Sequence, residues 1–331
     1  MNDATLARHT ASARSAGTSA AGRISVIMPC FNSRRFLPEA IDSVLGQTHP
    51  NVELIVVDDG STDGSRDILR KYGARILVVE QDNRGPYPAR NAGLQVATGE
   101  LVAFLDSDDY WSREALQKLQ TALASAPEAA LAYCGWQNLG AIGRSNDPYV
   151  PPDYEAGDKL EAFLRAASPW PIHAALIRRR ELDAVGGFDV SLHSCMDYDL
   201  WLRLAIARPI VRVPEVLAYY RFHGEGQITS KEWIQARNTW LIKKKFVREH
   251  PELACRLTPR RQRELIDGGL AFRAYRAYWR RDLSSARRIF RMLLRTGHWG
   301  VRDLKYLLPA LLPEAAYKRL VSIADRGAEA S

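Results

Sequence analysis

Three carboxylates stand within four positions of this chain, at Asp106, Asp108 and Asp109, directly after the apolar run Leu101–Leu105. Like-charged carboxylates so close together repel one another, and a bound cation would favour their ionised forms. A solvated acidic turn is the alternative, because Asp and Ser also favour turns through local hydrogen bonds. Taken alone, the segment fits a metal site and an acidic turn equally well.

The apolar segments around this acidic group alternate between strand and helix about every 25 residues. Helical spacing of apolar residues separates the strands, and the helix after the acidic group is predicted over Trp111–Ser125. Strands that are apolar on both faces indicate a parallel sheet covered by helices on each side. The predicted fold class is therefore α/β, with a Rossmann-like and mainly parallel sheet. The strands are predicted at Ile24–Met28, Val52–Val57, Arg75–Val79, Leu101–Leu105 and Ala130–Cys134.

Polar motifs follow three of these strands. They are Pro29-Cys30-Phe31-Asn32, Asp58-Asp59-Gly60-Ser61 and Asp106-Ser107-Asp108-Asp109. Ligands of parallel sheets bind beyond the carboxyl ends of the strands. The chain lacks both the G-x-x-x-x-G-K-[ST] phosphate loop and a G-x-G-x-x-G motif after its first strand. A diphosphate bound here would therefore need a cation and basic side chains. Asp106 and Asp108 could both face Mg²⁺ or Mn²⁺ that is also held by substrate phosphates.

Composition sets broad limits on the protein. The 331 residues carry a net charge of +8, which suits nucleic acid, anionic lipid or a polyphosphate substrate without choosing among them. The four cysteines show no C-x-x-C spacing, which fits a reducing compartment and a cytoplasmic protein. The sequence contains no run of about 20 apolar residues, so no membrane-spanning helix is predicted. Residues 1–22, rich in Ala, Ser and Thr, are predicted to be a disordered leader.

The ordered set of motifs resembles the family 2 glycosyltransferases, whose nucleotide-sugar-binding fold is called GT-A. The resemblance covers roughly residues 23–225. It implies transfer of a sugar, with inversion, from a UDP-sugar or another nucleotide sugar to a hydroxyl of a saccharide or lipid-linked acceptor. It also implies a role in cell-surface polysaccharide or glycan synthesis, and Mn²⁺ or Mg²⁺ as cofactor. The matching segments are Val26–Asn32, Glu53–Asp63, Asn83–Gly85, Ala89–Gly93, Ala97–Asp109, Gly186–Asp189 and Asp197–Arg203.

The resemblance assigns roles to the acidic segment. Asp106-Ser107-Asp108 stands at the family's D-x-D motif, which implies contact with the ribose and with a metal bridging the diphosphate. His223 stands where related enzymes carry a histidine after Tyr-Arg, and could contact the diphosphate or the metal, because neutral imidazole is a good ligand. A structural histidine is the alternative.

Other donor contacts are implied outside the D-x-D motif. Asp58 and Asp59 stand where a carboxylate recognises the nucleotide base, although Asp59-Gly60 is also a common turn. Arg90 lies where a basic residue approaches the phosphates, with pairing to a neighbouring Asp as the alternative. Residues of the first nucleotide-facing loop are Pro29, Phe31 and Asn32.

The resemblance places the catalytic base at Asp197, in the run Met196–Trp201. Inverting transfer needs a carboxylate that takes the proton of the acceptor hydroxyl during attack. The family's preceding Glu is replaced here by Met196, which leaves acceptor choice and rate open. A helix N-cap carboxylate is the alternative for Asp197. Asp199, two positions on, is expected to be a cap or a structural partner.

Acceptor contacts are predicted for three residues. Asp109 could meet the acceptor or cap the next helix. Trp170 and His173 precede a predicted strand on the acceptor half, and aromatic faces suit sugar rings, although a core Trp fits equally well.

Three regions are predicted along the chain: the leader 1–22, a GT-A domain over 23–230 and a basic helical region over 231–331. In the last region, arginines alternate with apolar residues around Arg287–Arg295, which fits either an anionic membrane surface or a solvated face packed on the main domain. No recognisable nucleic-acid-binding motif is present, so nucleic acid is not expected as a partner. Helices are predicted there at Trp233–His250, Pro259–Tyr278, Leu283–Arg295 and Asp303–Leu312.

Two other functions are alternatives to sugar transfer. A sugar nucleotidyltransferase would need a Gly-rich basic loop after the first strand, and Pro29–Ser33 supplies none. A non-catalytic module that binds a nucleotide sugar or a membrane partner is supported only by Met196.

Overall fold

The computed structural model describes residues 22–140, 145–166, 168–191, 194–223 and 231–329. Of the predicted leader, all but Gly22 lies outside the described residues. The chain divides into two compact units. The first unit contains the described residues of 22–159 and 168–223, and the second contains those of 160–166 and 231–329.

The described part of the first unit forms one nine-stranded sheet with the order β3-β2-β1-β4-β8-β6-β9-β5, and β7 pairs with β6. Strands β1 to β4 are parallel to one another where they pair. The rest of the sheet is mixed, because β8 runs antiparallel to both β4 and β6 while β9 is parallel to β6. The strands are β1 Ile24–Cys30, β2 Val52–Asp59, β3 Leu77–Gln81, β4 Leu101–Phe104, β5 Tyr110–Trp111, β6 Leu131–Leu139, β7 Pro148–Tyr149, β8 Ala175–Arg178 and β9 Ile210–Arg221.

Helices flank this sheet and build the second unit. Those between the strands of the first unit are α1 Leu37–Leu45, α2 Ser65–Tyr72, α3 Pro86–Val96, α4 Ala115–Ser125, α6 Arg179–Ala184 and α7 Met196–Ala205. Those of the second unit are α5 Lys159–Arg165 (from Leu160 on), α8 Glu232–Glu249, α9 Pro251–Ala254, α10 Pro259–Trp279, α11 Leu283–Thr296, α12 Leu304–Leu307 and α13 Glu314–Glu329. A mixed α/β fold with helices at the C-terminal end of the chain confirms the predicted fold class.

The parallel half of the sheet brings the polar motifs to one edge. The register pairs Cys30 with Asp58 and Ile27 with Phe104, so the first two motifs start side by side and the acidic segment follows the neighbouring strand. Helix α3 packs closely on β1, because a Cβ at Gly93 would come within 2.4 Å of Ile27 Cγ2. This close approach places α3, and the arginine on it, beside the motif edge.

The mixed half of the sheet differs from the sequence-based expectation. Strand β9 was not predicted, because Pro214 and Glu215 interrupt its apolar pattern and the pairing with β6 shifts at Gly135. The helix predicted from Trp111 begins instead at Ala115, since Tyr110–Trp111 pairs with β9 as β5. The strand predicted over Ala130–Cys134 continues as β6 to Leu139.

The second unit has its own apolar core. Leu270 and Ala274 of α10 pack with Phe290 and Leu293 of α11 and with Tyr317 of α13, and all five are at most 1% exposed. Within the described residues, no helix combines the length and apolar character needed to cross a membrane.

Candidate active site

The acidic segment forms a tight turn after β4, in which the N–H of Asp109 donates to the carbonyl of Asp106 at 3.0 Å. The turn gathers the carboxylates of Asp106, Asp108 and Asp109, with one oxygen of each within 4.8 Å of the others. Asp106 and Asp108 are partly exposed, at 27% and 29% of their side chains, whereas Asp109 is buried. Only the first two carboxylates are therefore open to a ligand.

Arg90 of α3 holds Asp106 through an ion pair. The Arg90 side chain is only 4% exposed, and its guanidinium lies 5.2 Å from the ring centroid of Tyr87 and 5.5 Å from that of Phe188. Cation–π attraction to these two neighbouring rings adds to the ion pair. The structure thus shows Arg90 paired with a neighbouring Asp, which was the alternative to its predicted phosphate contact.

Asp108 is paired with His223, whose Nε2 lies 2.9 Å from Asp108 Oδ2. The His223 ring follows β9 and rests 4.9 Å from the ring centroid of Phe36. Burial and the charge of Asp106 raise the pKa of Asp108, and His223 opposes them only in part. A cation would relieve this repulsion. The carboxylates of Asp106 and Asp108 match the oxygen-donor preference of Mn²⁺ and Mg²⁺, so these two residues fit the predicted metal. His223, the predicted third ligand, contacts Asp108.

Asp109 faces the core behind this pair. It accepts a hydrogen bond from the N–H of Arg221 at 2.8 Å, and its Oδ2 lies 3.1 Å from His173 Nδ1. Burial raises the pKa of Asp109 to about 6, although His173 lowers it. With 1% of its surface exposed, Asp109 supports the turn rather than meeting the acceptor or capping a helix.

The other residues predicted to touch the acceptor also lie in the core. Trp170 and His173 have no exposed surface. Trp170 stacks on Tyr133 with ring centroids 4.4 Å apart, and His173 stacks on Tyr220 at 5.7 Å. The structure therefore places both residues inside the protein instead of at an acceptor surface.

Asp197 lies in the first turn of α7, two residues beyond the N-cap residue Cys195. Cys195 adopts a left-handed conformation with φ of 65°, which is unusual for a residue other than glycine. Burial raises the pKa of Asp197, the N–H of Tyr198 and the charge of Arg90 lower it, and the charge of Asp106 raises it. The charges of Arg90 and Asp106 thus act on Asp197 in opposite directions. Its role as catalytic base remains a prediction.

The acidic residue two positions later has a structural partner, as expected. The carboxylate of Asp199 forms an ion pair with Arg203 at 2.7 Å, on the next turn of α7. Arg203 also donates to the carbonyls of Val185 and Gly187, which ties α7 to the segment before Phe188.

The two carboxylates predicted to recognise the base organise loops. Asp58 accepts from Arg66 Nε at 2.5 Å and from the N–H of Ser61 at 3.1 Å. Asp59 accepts from the N–H groups of Arg84 at 2.9 Å and Gly85 at 2.7 Å, and also from the side chain of Gln81. They therefore fix the turn after β2 and the loop before α3.

Two of the three residues of the first predicted nucleotide-facing loop are exposed, Phe31 and Asn32. Pro29 is buried in β1, whereas Phe31 is 49% exposed. Asn32 has φ of 49° and accepts from the N–H of Thr62 at 2.8 Å, which joins the loops after β1 and β2. Ser107 shares a 2.6 Å hydrogen bond with Ser33, which ties the D-x-D turn to the same loop.

Four residues of the site did not emerge as candidates from the sequence: Tyr87 and Phe188 beside Arg90, Arg66 beside Asp58, and Arg221 beside Asp108. The guanidinium of Arg221 donates to the carbonyl of Asp108 at 3.1 Å and lies 4.5 Å from the Tyr110 ring centroid. Phe188 belongs to the segment Gly186–Asp189, which matches the family in sequence but for which the sequence predicts no role. Contacts made through aromatic rings or main-chain carbonyls cannot be predicted from the pattern of charged residues in the sequence.

Comparison with known proteins assigns the family. Residues 25–169 match the model "Glycosyl transferase family 2". The chain is 33% identical over 234 residues to the "putative teichuronic acid biosynthesis glycosyltransferase TuaG" of Bacillus subtilis, covering 69% of this chain and 89% of that protein. The chain belongs to glycosyl transferase family 2. The predicted family and the predicted function of a glycosyltransferase are confirmed.

Other similarities agree with this family. An uncharacterized glycosyltransferase of Nostoc is 35% identical over 215 residues, covering 61% of this chain and 65% of that protein. The crystal structure of Staphylococcus aureus TarS 1-349 superposes with a TM-score of 0.60 at 19% identity, over 92% of each chain. The mannosyltransferase PcManGT from Pyrobaculum calidifontis, in complex with GDP-Man and Mn²⁺, gives a TM-score of 0.55 at 20% identity, over 91% of this chain and 86% of its own. These two similarities show the shared fold, and the predicted GT-A fold is confirmed.

Proposed function

We propose that this family 2 glycosyltransferase uses Asp106 and Asp108 to anchor a nucleoside diphosphate sugar and Asp197 to activate the acceptor hydroxyl. The observation that carries the proposal is the charge arrangement at one edge of the sheet. The open pair Asp106 and Asp108 follows β4, and Arg90 connects Asp106 electrostatically to Asp197. In this proposal, the residue that accepts the acceptor proton, Asp197, and a residue that binds the donor, Asp106, both interact electrostatically with Arg90.

A divalent cation, Mn²⁺ or Mg²⁺, is proposed as cofactor, held by Asp106, Asp108 and His223. When bound, such a cation neutralises negative charge on a leaving diphosphate. The raised pKa of Asp108, caused by burial and by the charge of Asp106, supports the need for positive charge at this position. The Mn²⁺ in the PcManGT complex gives independent support from a protein of the same fold.

Asp197 is proposed as the base of a single inverting displacement. Burial raises its pKa, which increases its affinity for a proton. The acceptor hydroxyl oxygen attacks the anomeric carbon, its proton passes to a carboxylate oxygen of Asp197, and the bond from that carbon to the diphosphate breaks. Attack opposite the departing diphosphate inverts the configuration. Arg90 is a positioning residue, because it holds Asp106 and balances the charge of Asp197.

The donor is proposed to be a UDP-sugar or a related nucleotide sugar. TarS 1-349 has been crystallised with UDP-GlcNAc and with UDP, which supports a UDP donor for this fold. Phe31, half-exposed beside the turns that Asp58 and Asp59 organise, supplies an apolar surface for the nucleotide. By analogy with TuaG, we propose an acceptor in cell-surface polysaccharide synthesis, either a saccharide or a lipid-linked one.

The test measures release of UDP from UDP-GlcNAc and of GDP from GDP-mannose, with Mn²⁺, by the full chain. Asp197→Asn should lower the rate about 100-fold or more, since general base catalysis contributes about 10²- to 10⁴-fold. Asp108→Ala should abolish release. Asp183→Asn, which removes a 56% exposed carboxylate on α6, is the matched control and should retain the wild-type rate.

Full activity in folded Asp197→Asn or Asp108→Ala would overturn these assignments. Donor binding without turnover in the wild type, across several donors and acceptors, would favour the non-catalytic alternative that Met196 suggests.

A further inference from the structure

The second unit carries an open groove of about 450 Å³ along α8 and α11. Five arginines contribute to its lining within the described residues. Trp233 of α8 lies in the same groove, and the guanidinium of Arg288 sits 4.4 Å from its ring centroid. The arginines are Arg237 of α8 and Arg287, Arg288, Arg291 and Arg295 of α11.

Among the described residues, none of the five arginines forms an ion pair. Arg237 donates only to the amide oxygen of Asn238, at 3.4 Å. Glu314, whose pKa Arg288 helps to lower, is already paired with Lys318 at 2.8 Å. Like charges on adjacent helical turns repel, so the groove favours an anionic ligand.

Exposed leucines adjoin the groove. Arg287 Nε donates to the carbonyl of Leu312 at 2.6 Å, which fixes the segment Leu308–Leu312 beside the arginines. Leu308, Leu311 and Leu312 are 56%, 50% and 38% exposed. Helix α13 packs on the same segment and exposes Ile323 at 57%.

We infer that this face of the second unit binds the surface of an anionic phospholipid bilayer. Guanidinium groups match phosphate in geometry and charge, so the arginine groove would take lipid phosphates. Leu308, Leu311 and Leu312 would enter the boundary between headgroups and acyl chains, as the apolar residues of interfacial helices do. The leucines favour a bilayer over RNA, because nucleic acid offers them no apolar phase. Bilayer binding at this face does not depend on sugar transfer.

Vesicle flotation of the full chain tests this site. Phosphatidylcholine vesicles containing about one third phosphatidylglycerol should bind the protein, and pure phosphatidylcholine vesicles should bind it far more weakly. Arg288→Gln/Arg291→Gln/Arg295→Gln should lower the partition coefficient about 100-fold, since each basic residue near an anionic surface contributes about 5-fold. Vesicle binding by this variant equal to that of the wild type would overturn the inference.

The matched control removes the same charge from exposed arginines of the second unit outside the groove, as Arg256→Gln/Arg263→Gln/Arg302→Gln. It should keep most of the binding. An equal loss in this variant would show general charge attraction and would overturn the site. Leu308→Ser/Leu311→Ser, on a different segment, should also weaken vesicle binding. Unchanged binding of that variant would contradict the proposed insertion.

Two further probes distinguish the source of the phosphate. Inorganic phosphate at millimolar concentration should not displace the protein from vesicles. Tight binding of inorganic phosphate by the wild type, and its loss in Arg288→Gln/Arg291→Gln/Arg295→Gln, would show that the groove binds a soluble anion. That result would overturn membrane docking. Binding of single-stranded RNA that is tighter than vesicle binding would overturn it in favour of nucleic acid.

Discussion

Replacing Asp106 and replacing Asp108 should have opposite effects on the stability of the metal-free protein. Asp106 pairs with Arg90, whose side chain is only 4% exposed, so Asp106→Asn leaves a buried guanidinium without its partner. Asp108 instead carries a charge that burial and Asp106 disfavour, which its raised pKa records. Removing that charge relieves repulsion.

The magnitude for Asp106→Asn follows from the burial of the pair. Breaking a buried ion pair by removing one partner costs about 3–5 kcal/mol. Because Asp106 is 27% exposed and the charge of Asp197 still acts on Arg90, we expect the loss of unfolding free energy to lie at the lower end of this range, about 3 kcal/mol. At about 2–4 °C per kcal/mol, the melting temperature should fall by roughly 6–12 °C.

The assay is thermal and urea unfolding of the wild type and both variants, with EDTA and then with Mn²⁺. Asp106→Asn should unfold earlier with EDTA, whereas Asp108→Asn should be at least as stable as the wild type. Added Mn²⁺ should stabilise the wild type and neither variant. An Asp106→Asn protein as stable as the wild type, beside a destabilised Asp108→Asn protein, would refute the assigned charge balance, in which Asp106 offsets Arg90 and the charge of Asp108 is unfavourable without a cation.

Three further predictions concern stability and positioning. Lys243→Met should stabilise the protein at pH 7 on the order of 3 kcal/mol, because burial first and Arg273 next lower the pKa of Lys243 from 10.5 to about 7. Between these two pKa values the unfolded state binds more protons than the folded state, so the stability of the wild type rises with pH. The gain from Lys243→Met, measured by urea unfolding, should therefore vanish near pH 10.5. Gly93→Ala should cost about 2 kcal/mol in the same assay, since the new Cβ would meet Ile27 Cγ2. Arg90→Lys keeps the charge but loses the planar group that contacts two rings, so kcat for donor cleavage should fall with little change in donor affinity. An unchanged kcat would contradict its positioning role.

The parallel half of the sheet was predictable because each of its strands is a short, continuous apolar run. Those runs end at the residues that form the site edge, so the positions of Asp58 and Asp106 followed from chain order alone. The mixed half was less predictable. Strand β9 is interrupted by Pro214 and Glu215, and it gains its regularity only by pairing with β6 and β5.

Contacts between distant segments explain the remaining differences in the site. Trp170 and His173 look like candidate sugar contacts in the sequence, and only packing against Tyr133 and Tyr220 places them in the core. The pairing of Arg90 with Asp106 was one of two open alternatives, because sequence order does not define which acidic group faces α3. The contact of Arg90 with the rings of Tyr87 and Phe188 depends on the fold as a whole.

The central claim is that Asp106 and Asp108 anchor the donor while Asp197 acts on the acceptor. Isothermal titration of UDP into the wild type, Asp108→Ala and Asp197→Asn proteins, with and without Mn²⁺, tests it most directly. We expect Mn²⁺-dependent UDP binding by the wild type and by Asp197→Asn, and none by folded Asp108→Ala. UDP binding that is unchanged in Asp108→Ala, or lost in Asp197→Asn, would contradict it.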